Sequence, residues 1–109
     1  PELPTDIEHG WYKCYAFIKP ECLAKDWDRD RVIAAISALG VPCFSGSCSE
    51  VYLEKCFVDA GIGPEERLPS ARQLGETSVM FLVHPTLTEQ NIKTTCDAIA
   101  QVAVDALQK

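Results

Sequence analysis

The sequence has no apolar run that approaches the roughly 20 residues needed to cross a bilayer. It does not open with a basic segment followed by an apolar one, so nothing in it predicts secretion. It also lacks the basic stripe of a nucleic-acid binder, because the net charge is −6 and acids lie near every arginine: Arg29, Arg31, Arg67 and Arg72. We therefore predict a cytoplasmic protein that binds neither nucleic acid nor membrane.

Cysteine is abundant, but its spacing is not typical of a metal site. The chain has six cysteines, yet no pair is spaced C-x-x-C and no histidine pair completes a zinc site. Cys14 falls in a predicted strand and Cys96 on the predicted apolar face of a helix. We expect reduced thiols that pack as small apolar side chains rather than a thiol or metal protein. Cys48 as a nucleophile would need a base, and none is near it in the sequence.

The length of 109 residues suits one domain, which can bury roughly two-thirds of the surface of its unfolded chain. The first residue is Pro1 rather than Met, which suggests a chain cut from a longer one. Residues 1–10 contain two prolines and a glycine and are predicted to be a tether. The domain is expected to span residues 11–109.

Three strands and two long helices are predicted. The strands are residues 11–18, residues 41–44 at a sheet edge because of Pro42, and the apolar residues 78–83, buried on both faces. The first helix is capped by Asp28 and stopped by Gly40, and the last is capped by Thr88. Each should bury one apolar stripe, which is Val32, Ile33, Ile36 and Leu39 in the first, and Ile92, Cys96, Ile99, Ala103 and Leu107 in the last.

Less regular structure is expected between the second and third strands. Residues 45–49 form a loop of small side chains, residues 50–60 one irregular helix, and Pro69 opens a short helix that Gly75 stops after Leu74. The result is an α+β domain with a small, mostly antiparallel sheet of about three strands and helices packed on one face. No helix would cover the other face of the sheet. Three aromatic side chains on that face would then need a partner domain or subunit: Trp11, Tyr15 and Phe17.

The C-terminal half carries a resemblance to a known family. The segment Leu68-Pro69-Ser70-Ala71-Arg72, followed by an apolar strand and then by His84-Pro85-Thr86-Leu87-Thr88-Glu89, resembles the end of the DegT-type sugar aminotransferases. The upstream Asp28-Arg29-Asp30 helix and Gly40-Val41-Pro42 resemble another unit of that family. The resemblance covers about residues 10 to 107.

The resemblance implies the C-terminal small domain of a fold-type I aminotransferase. In that family a large domain holds pyridoxal phosphate, and the active site lies between the domains at a homodimer interface. The implied substrate is a nucleotide-linked keto sugar and the usual amino donor is glutamate. Many members serve lipopolysaccharide or antibiotic-sugar biosynthesis.

This chain alone is expected to bind no pyridoxal phosphate and to be inactive. Aldimine chemistry needs a lysine amine, a carboxylate at the pyridine nitrogen and a phosphate cradle. None of the six lysines follows the serine-rich, strand-flanked setting of the family's Schiff-base lysine, and no glycine-rich loop precedes a helix. Catalytic and cofactor-binding residues are therefore predicted to lie outside these 109 residues.

The resemblance also implies a substrate-facing loop after the second strand. The family has a His and then a Tyr there; Tyr52 matches the aromatic position, and Ser47 or Cys48 stands near the place of the absent histidine. Ser47, Ser49 and Glu50 could bond sugar hydroxyls, although a turn without a ligand role explains the same residues. His84 is expected to be structural, since it ends a strand before Pro85. The alternative to an aminotransferase domain is a free-standing ferredoxin-like module that binds a ligand or regulates another protein.

Overall fold

The described residues form one small sheet and four α-helices. The computed structural model describes residues 4–8 and 10–107. The strands are β1 (Lys13–Phe17), β2 (Cys43–Phe44) and β3 (Ser78–Leu82), and the helices are α1 (Arg29–Ala38), α2 (Lys55–Asp59), α3 (Pro69–Thr77) and α4 (Glu89–Ala106). Short 3-10 turns occur at Pro20–Cys22 and Val51–Leu53. Among the described residues, no helix has both the length and the apolar character that a membrane span requires.

The sheet has the order β1-β3-β2, with β3 antiparallel to both neighbours. Phe81 of β3 is paired with Cys14 and with Cys43, while Met80 is paired with Tyr15 and with Phe44. The predicted α+β class with a small antiparallel sheet is confirmed, and β2 lies at a sheet edge as Pro42 indicated. The first four residues of β3 are buried, as expected for a strand covered on both faces.

The core lies between the sheet and helices α1 and α4. Val79 and Phe81 of β3 share it with Val32 and Ile36 of α1 and with Val102 of α4. Ile36 of α1 and Ala106 of α4 are the most buried members of this cluster, each 2% exposed. Two residues of the predicted α1 stripe, Val32 and Ile36, are therefore confirmed as core, whereas Leu39 is exposed.

Both predicted helix caps are present. The Oδ1 of Asp28 accepts a hydrogen bond of 2.7 Å from the backbone N–H of Arg31. Thr88 Oγ1 accepts one of 3.2 Å from the N–H of Asn91, whose Oδ1 accepts one of 2.9 Å from the N–H of Thr88. These reciprocal bonds satisfy two donors that the helix itself leaves unpaired. Gly40 follows α1 with a φ of 81°, the left-handed stop that its position predicted.

We expect Thr88→Ala to lower the free energy of unfolding by about 1 kcal/mol, because the first turn of α4 loses its side-chain acceptor. Thr94→Ala is the matched control in the same helix. Its hydroxyl bonds back to the carbonyl of Gln90 (2.9 Å) and caps no free N–H, so its removal should change stability little. Urea unfolding of both variants measures the difference, and equal losses would contradict the capping role.

Two boundaries between β2 and β3 differ from the predictions. Helix α3 does not stop at Gly75 but continues to Thr77 and leads directly into β3. The predicted helix over residues 50–60 is broken at Glu54, where the extended backbone (ψ 141°) separates the 3-10 turn from α2. Gly61 follows that helix with a φ of 64°.

The prediction of the buried stripe of α4 was wrong in register: each buried residue lies one position before the predicted one. The buried residues are Ala98, Val102 and Ala106, while Ile99 is only half-buried. The other predicted members, Ile92, Cys96, Ala103 and Leu107, are not buried in the core. Small alanines face the core because α4 packs closely against α1.

The cysteines are mostly on the surface, contrary to the expectation of buried thiols. Cys43 is buried, and burial raises its thiol pKa. The other five are exposed: Cys14, Cys22, Cys48, Cys56 and Cys96. All six are free thiols. Cys96 is exposed because the face of α4 that carries it is not the face that packs on the core.

Aromatic side chains remain exposed on the sheet face away from α1 and α4. Tyr15 and Phe17 are two positions apart on β1, so both lie on that face, and both are exposed, as predicted. Trp11 is also exposed, but it precedes β1 in a left-handed backbone conformation (φ 43°). The face is covered in part by the segment after β2, which carries the candidate site.

Candidate functional site

The loop of residues 45–50, called the substrate loop after its predicted role, lies across the open face of the sheet. Ser78 Oγ, at the start of β3, donates a hydrogen bond of 2.8 Å to the carbonyl of Ser45. Tyr15 Oη of β1 lies 2.9 Å from Ser47 Oγ and accepts a bond of 3.2 Å from the N–H of Ser47. These bonds with Ser47 lower the pKa of the Tyr15 phenol. The substrate loop is therefore attached to two strands.

Two glycines allow the loop to pack this closely. Gly46 has a φ of 88°, and a Cβ at this position would lie 2.5 Å from Cε1 of the Tyr15 ring. At Gly75 of α3 a Cβ would lie 2.6 Å from Ser49 Oγ. Gly75 thus has a packing role inside α3, which explains why this helical position has no side chain.

A shallow depression of about 390 Å³ adjoins the substrate loop. Its walls combine hydroxyl and carboxylate side chains of residues 47–54 with Arg29 from α1. The guanidinium of Arg29 donates to Asp30 Oδ1 (2.6 Å) and to the carbonyl of Ser78 (3.3 Å). Because Arg29 is already paired with a carboxylate, the depression offers hydroxyl and carboxylate partners more than an unpaired positive charge.

Glu50 is the centre of a polar cluster behind the depression. Its carboxylate accepts hydrogen bonds from Tyr52 Oη (2.6 Å) and Arg67 Nε (2.8 Å) and a second bond from Arg67 Nη2. Tyr52 Oη in turn accepts a bond of 3.0 Å from the N–H of Leu68. Arg67 also lies 3.4 Å from Glu76 Oε1 on α3. We call Glu50, Tyr52, Arg67 and Glu76 the Glu50 cluster.

The electrostatics of the Glu50 cluster follow from these contacts. The Arg67 guanidinium, with a smaller effect of the Tyr52 hydroxyl, lowers the pKa of Glu50 to about 2. Burial and the neighbouring Glu50 carboxylate raise the pKa of Tyr52. The bond with Glu50 raises the pKa of Arg67 above its usual range. Glu50 is therefore ionised, Tyr52 neutral and Arg67 charged at physiological pH.

The four residues predicted to contact substrate fall into two groups. Ser47 and Cys48 are exposed, although the hydroxyl and N–H of Ser47 are bonded to Tyr15 Oη. Glu50 is buried, and its oxygens are engaged by Tyr52 and Arg67. Ser47 and Cys48 are therefore accessible to solvent, while Glu50 and Tyr52 are held in the polar cluster. The role in substrate binding stays a prediction for all four.

Cys48 has a neighbour that the sequence did not indicate. Its Sγ lies 3.5 Å from Oε1 of Glu54, six residues later, and the thiol donates to this carboxylate. The backbone turn at Val51–Leu53 brings the two side chains together.

Sequence reasoning missed several residues that hold the site. Tyr15 was noted only as an exposed aromatic, and Arg67 and Arg29 only as charges near acids. The contacts of Tyr15 with Ser47 and of Arg67 with Glu50 span 32 and 17 residues. Periodicity carries no signal for such pairs, because they depend on the path of the intervening loop.

His84 has the contacts expected of a structural residue. Its Nδ1 accepts a bond of 3.3 Å from the N–H of Thr86 and lies 2.8 Å from Thr86 Oγ1. It thus stabilises the turn between β3 and α4. In the part of the chain that the structure describes, no group of three or more His, Cys, Asp or Glu side chains is arranged to hold a metal ion.

Two lysines of the described chain, Lys55 and Lys93, lack the environment of a Schiff-base lysine. A Schiff-base lysine needs a lowered pKa, which burial or a neighbouring cation provides. Lys55 and Lys93 are instead exposed on helices and paired with Asp59 (2.5 Å) and Asp97 (2.6 Å). The bond with Asp97 raises the pKa of Lys93, which is the opposite of what aldimine formation requires.

Comparison with known proteins shows similarity to a solved aminotransferase. A scan against protein-family models found no match, and neither did a search of curated proteins. Among solved structures, the X-ray structure of the aminotransferase from Psychrobacter cryohalolentis is similar, with a TM-score of 0.85 and 59% sequence identity over 90% of this chain. The match covers 25% of that aminotransferase, so this chain spans about a quarter of the length of its structural neighbour.

Proposed function

We propose that these 109 residues are the small domain of a larger aminotransferase that uses pyridoxal phosphate. The observation that supports this most is the 59% identity to one quarter of a solved aminotransferase. Lys55 and Lys93 are exposed and paired with carboxylates, so we place the Schiff-base lysine outside this chain. The isolated domain is accordingly inactive.

The proposed substrate is a keto sugar linked to a nucleotide, with glutamate as amino donor, as in the DegT-type family. The depression beside the substrate loop supports a sugar ligand, since its serine hydroxyls and carboxylates are partners for sugar hydroxyls. A diphosphate would favour unpaired basic side chains. We therefore assign the sugar, rather than the nucleotide, to this domain, and place the second subunit of a homodimer at the remainder of the active site.

Amine transfer by the full-length polypeptide that carries these residues tests the proposal. With pyridoxal phosphate and glutamate, it should form 2-oxoglutarate when a nucleotide-linked keto sugar is added. The 109-residue chain, dialysed after exposure to the cofactor, should show no aldimine absorption band, and the full-length protein should show one. A full-length protein that binds no cofactor would refute the proposal, and an aldimine band from the short chain would refute the assignment of the lysine to another domain.

The substrate loop has its own test in the full-length enzyme. Ser47→Ala should raise KM for the sugar substrate about two- to tenfold, as expected for one lost hydrogen bond, with a smaller change in kcat. Tyr15→Phe is the control, because it removes the same contact between Tyr15 and Ser47 but leaves the Ser47 hydroxyl. If both variants raise KM equally, the hydroxyl positions the loop and does not bind the sugar.

A further inference from the structure

An apolar groove separates β1 from α4 on the helix side of the sheet. It has a volume of about 380 Å³. Val79 and Phe81 of β3 lie on one side, and Ile99, Ala103 and Leu107 of α4 on the other. Lys19 is its one charged lining residue among those described. An apolar cavity of about 150 Å³ accommodates a benzene ring, so this groove has room for more than one large apolar side chain.

The groove exists because the helix layer is narrower than the sheet. Helix α1 packs on β2 and β3, and α4 packs mainly on α1. No described helix covers β1 in the same way. At one end the groove is closed where Leu23 and Leu107 form an isolated bridge and the N–H of Ala24 donates to the carbonyl of Ala106 (2.8 Å).

The exposed wall of the groove is formed by residues of α4 that the helix pattern predicted to be buried. Ile99, Ala103 and Leu107 line the groove, and Ile92 and Cys96 continue the same stripe toward the start of the helix. Ile92 is 51% exposed and Leu107 47% exposed. Helix α4 therefore has two neighbouring apolar faces, and the domain itself buries only one of them.

The chain exposes more surface than an independent monomer of its mass, which supports a partner that covers part of it. Its accessible surface is 8367 Å², roughly 40% more than the ~6,000 Å² of an independent monomer of this mass. Its radius of gyration is 16.5 Å, compared with about 13 Å for a compact domain of this length. The similar aminotransferase has three further quarters of its chain outside the matched region, which is enough to supply the cover.

We propose that the groove is the docking site of an amphipathic helix from the part of the longer polypeptide outside these residues; this inference rests on the function proposed above. The helix packs beside α4 and above β1, so that its apolar stripe fills the groove. A helix fits better than an extended segment because the walls offer almost no polar partner, and a helix satisfies its own backbone hydrogen bonds.

Native cysteines make the proposal testable in the unmodified protein. Cys22 lines the groove, Cys96 lies on the exposed stripe of α4, and both are exposed in this chain. Alkylation with N-ethylmaleimide, followed by peptide mass spectrometry, should show both thiols reacting at least about tenfold more slowly in the full-length protein than in the 109-residue chain. Cys43 is already buried in the core of this chain and serves as the unreactive reference. Equal rates for Cys22 and Cys96 in the two proteins would overturn the proposal.

A pair of neighbouring substitutions provides an independent measurement. Ala103 faces the groove, whereas Val104 is 68% exposed and points away from it. Ala103→Asp should lower the unfolding midpoint of the full-length protein by several degrees, and Val104→Asp should have little effect. Both should leave the 109-residue chain almost unchanged. Equal effects of the two substitutions in the full-length protein would count against a docked helix.

The outcomes separate this inference from the proposed function and from other occupants. An active aminotransferase whose Cys22 and Cys96 stay reactive would refute the docking site alone. An inactive full-length protein that protects both thiols would support the docking site and refute the proposed activity. Protection that already appears in the 109-residue chain and disappears on dilution would identify a second copy as the occupant and would overturn the proposal.

Discussion

Gly46→Ala is expected to destabilise the domain at least twice as much as Gly40→Ala. Both glycines have a positive φ, 88° and 81°, which costs a residue with a Cβ about 1–2 kcal/mol. A Cβ at Gly40 would meet nothing within 4 Å beyond its own chain neighbours, so the backbone conformation is its whole cost. At Gly46 the added Cβ also meets the Tyr15 ring at 2.5 Å, and a ring held in a sheet cannot move aside as a flexible side chain does.

Urea unfolding of the two variants measures the difference. The Tyr15→Ala background isolates its cause, because without the ring Gly46→Ala should lose only about as much stability as Gly40→Ala. The structural result should be a displaced substrate loop, seen as loss of the contact between Tyr15 and Ser47. Equal losses for Gly46→Ala and Gly40→Ala in the unmodified background would show that the loop is not packed against Tyr15.

The sequence was sufficient to predict those parts of the fold that depend on local rules. The caps at Asp28 and Thr88 and the left-handed Gly40 each depend on a few consecutive residues. The apolar run of β3 predicted a strand covered on both faces, and four of its five residues are buried. These features need no knowledge of the distant partners.

The errors occurred where distant contacts decide the outcome. Gly75 ends a helix by local rules, but here it remains in α3 because it gives room to Ser49. The stripe of larger apolar residues on α4 suggested a buried face, but the domain buries the small side chains Ala98 and Ala106 instead. The sequence pattern is explained if the larger residues are covered by polypeptide outside this chain, which is the arrangement proposed above.

The substrate loop was predictable in position but not in geometry. Its small residues and its place after β2 follow from the sequence. The family resemblance predicted that Ser47, Cys48, Glu50 and Tyr52 contact the substrate. Its attachments depend on Tyr15 and Arg67, which are far away in the sequence. The inward orientation of Glu50 could not be predicted, because a glutamate is rarely buried without a partner and the partner was unknown.

Arg67→Met is expected to raise the pKa of Glu50 from about 2 toward its ordinary value of 4.5 but not above it, because the remaining hydrogen bond from Tyr52 lowers the pKa more than burial raises it. The guanidinium is the main cause of the low value, and its loss leaves a buried carboxylate with the Tyr52 hydroxyl as its remaining close partner. Methionine keeps much of the length and the apolar stem of the arginine, so the substitution removes mainly the charge and its hydrogen bonds. A carbon-13 NMR titration of the Glu50 carboxyl measures the pKa directly.

The dependence of stability on pH should change in the same variant. The pKa of Glu50 in the folded protein lies below the ordinary value of 4.5, so its ionised form stabilises the fold at neutral pH. This contribution is fully present above pH 4.5 and declines as the pH falls toward 2. Arg67→Met should lose it, so that urea midpoints measured from pH 7 to pH 2 would show less acid destabilisation from a lower starting value.

Arg72→Met is the matched control because Arg72 pairs with Glu76 at an exposed position on α3 (2.8 Å). Exposed pairs of this kind contribute little to stability, so the acid dependence should remain close to that of the unsubstituted chain. If Arg72→Met changes the acid profile as much as Arg67→Met, a general loss of positive charge is responsible and not the contact with Glu50. If only Arg67→Met changes the acid profile, one ion pair between residues 17 positions apart holds the end of the substrate loop against the start of α3.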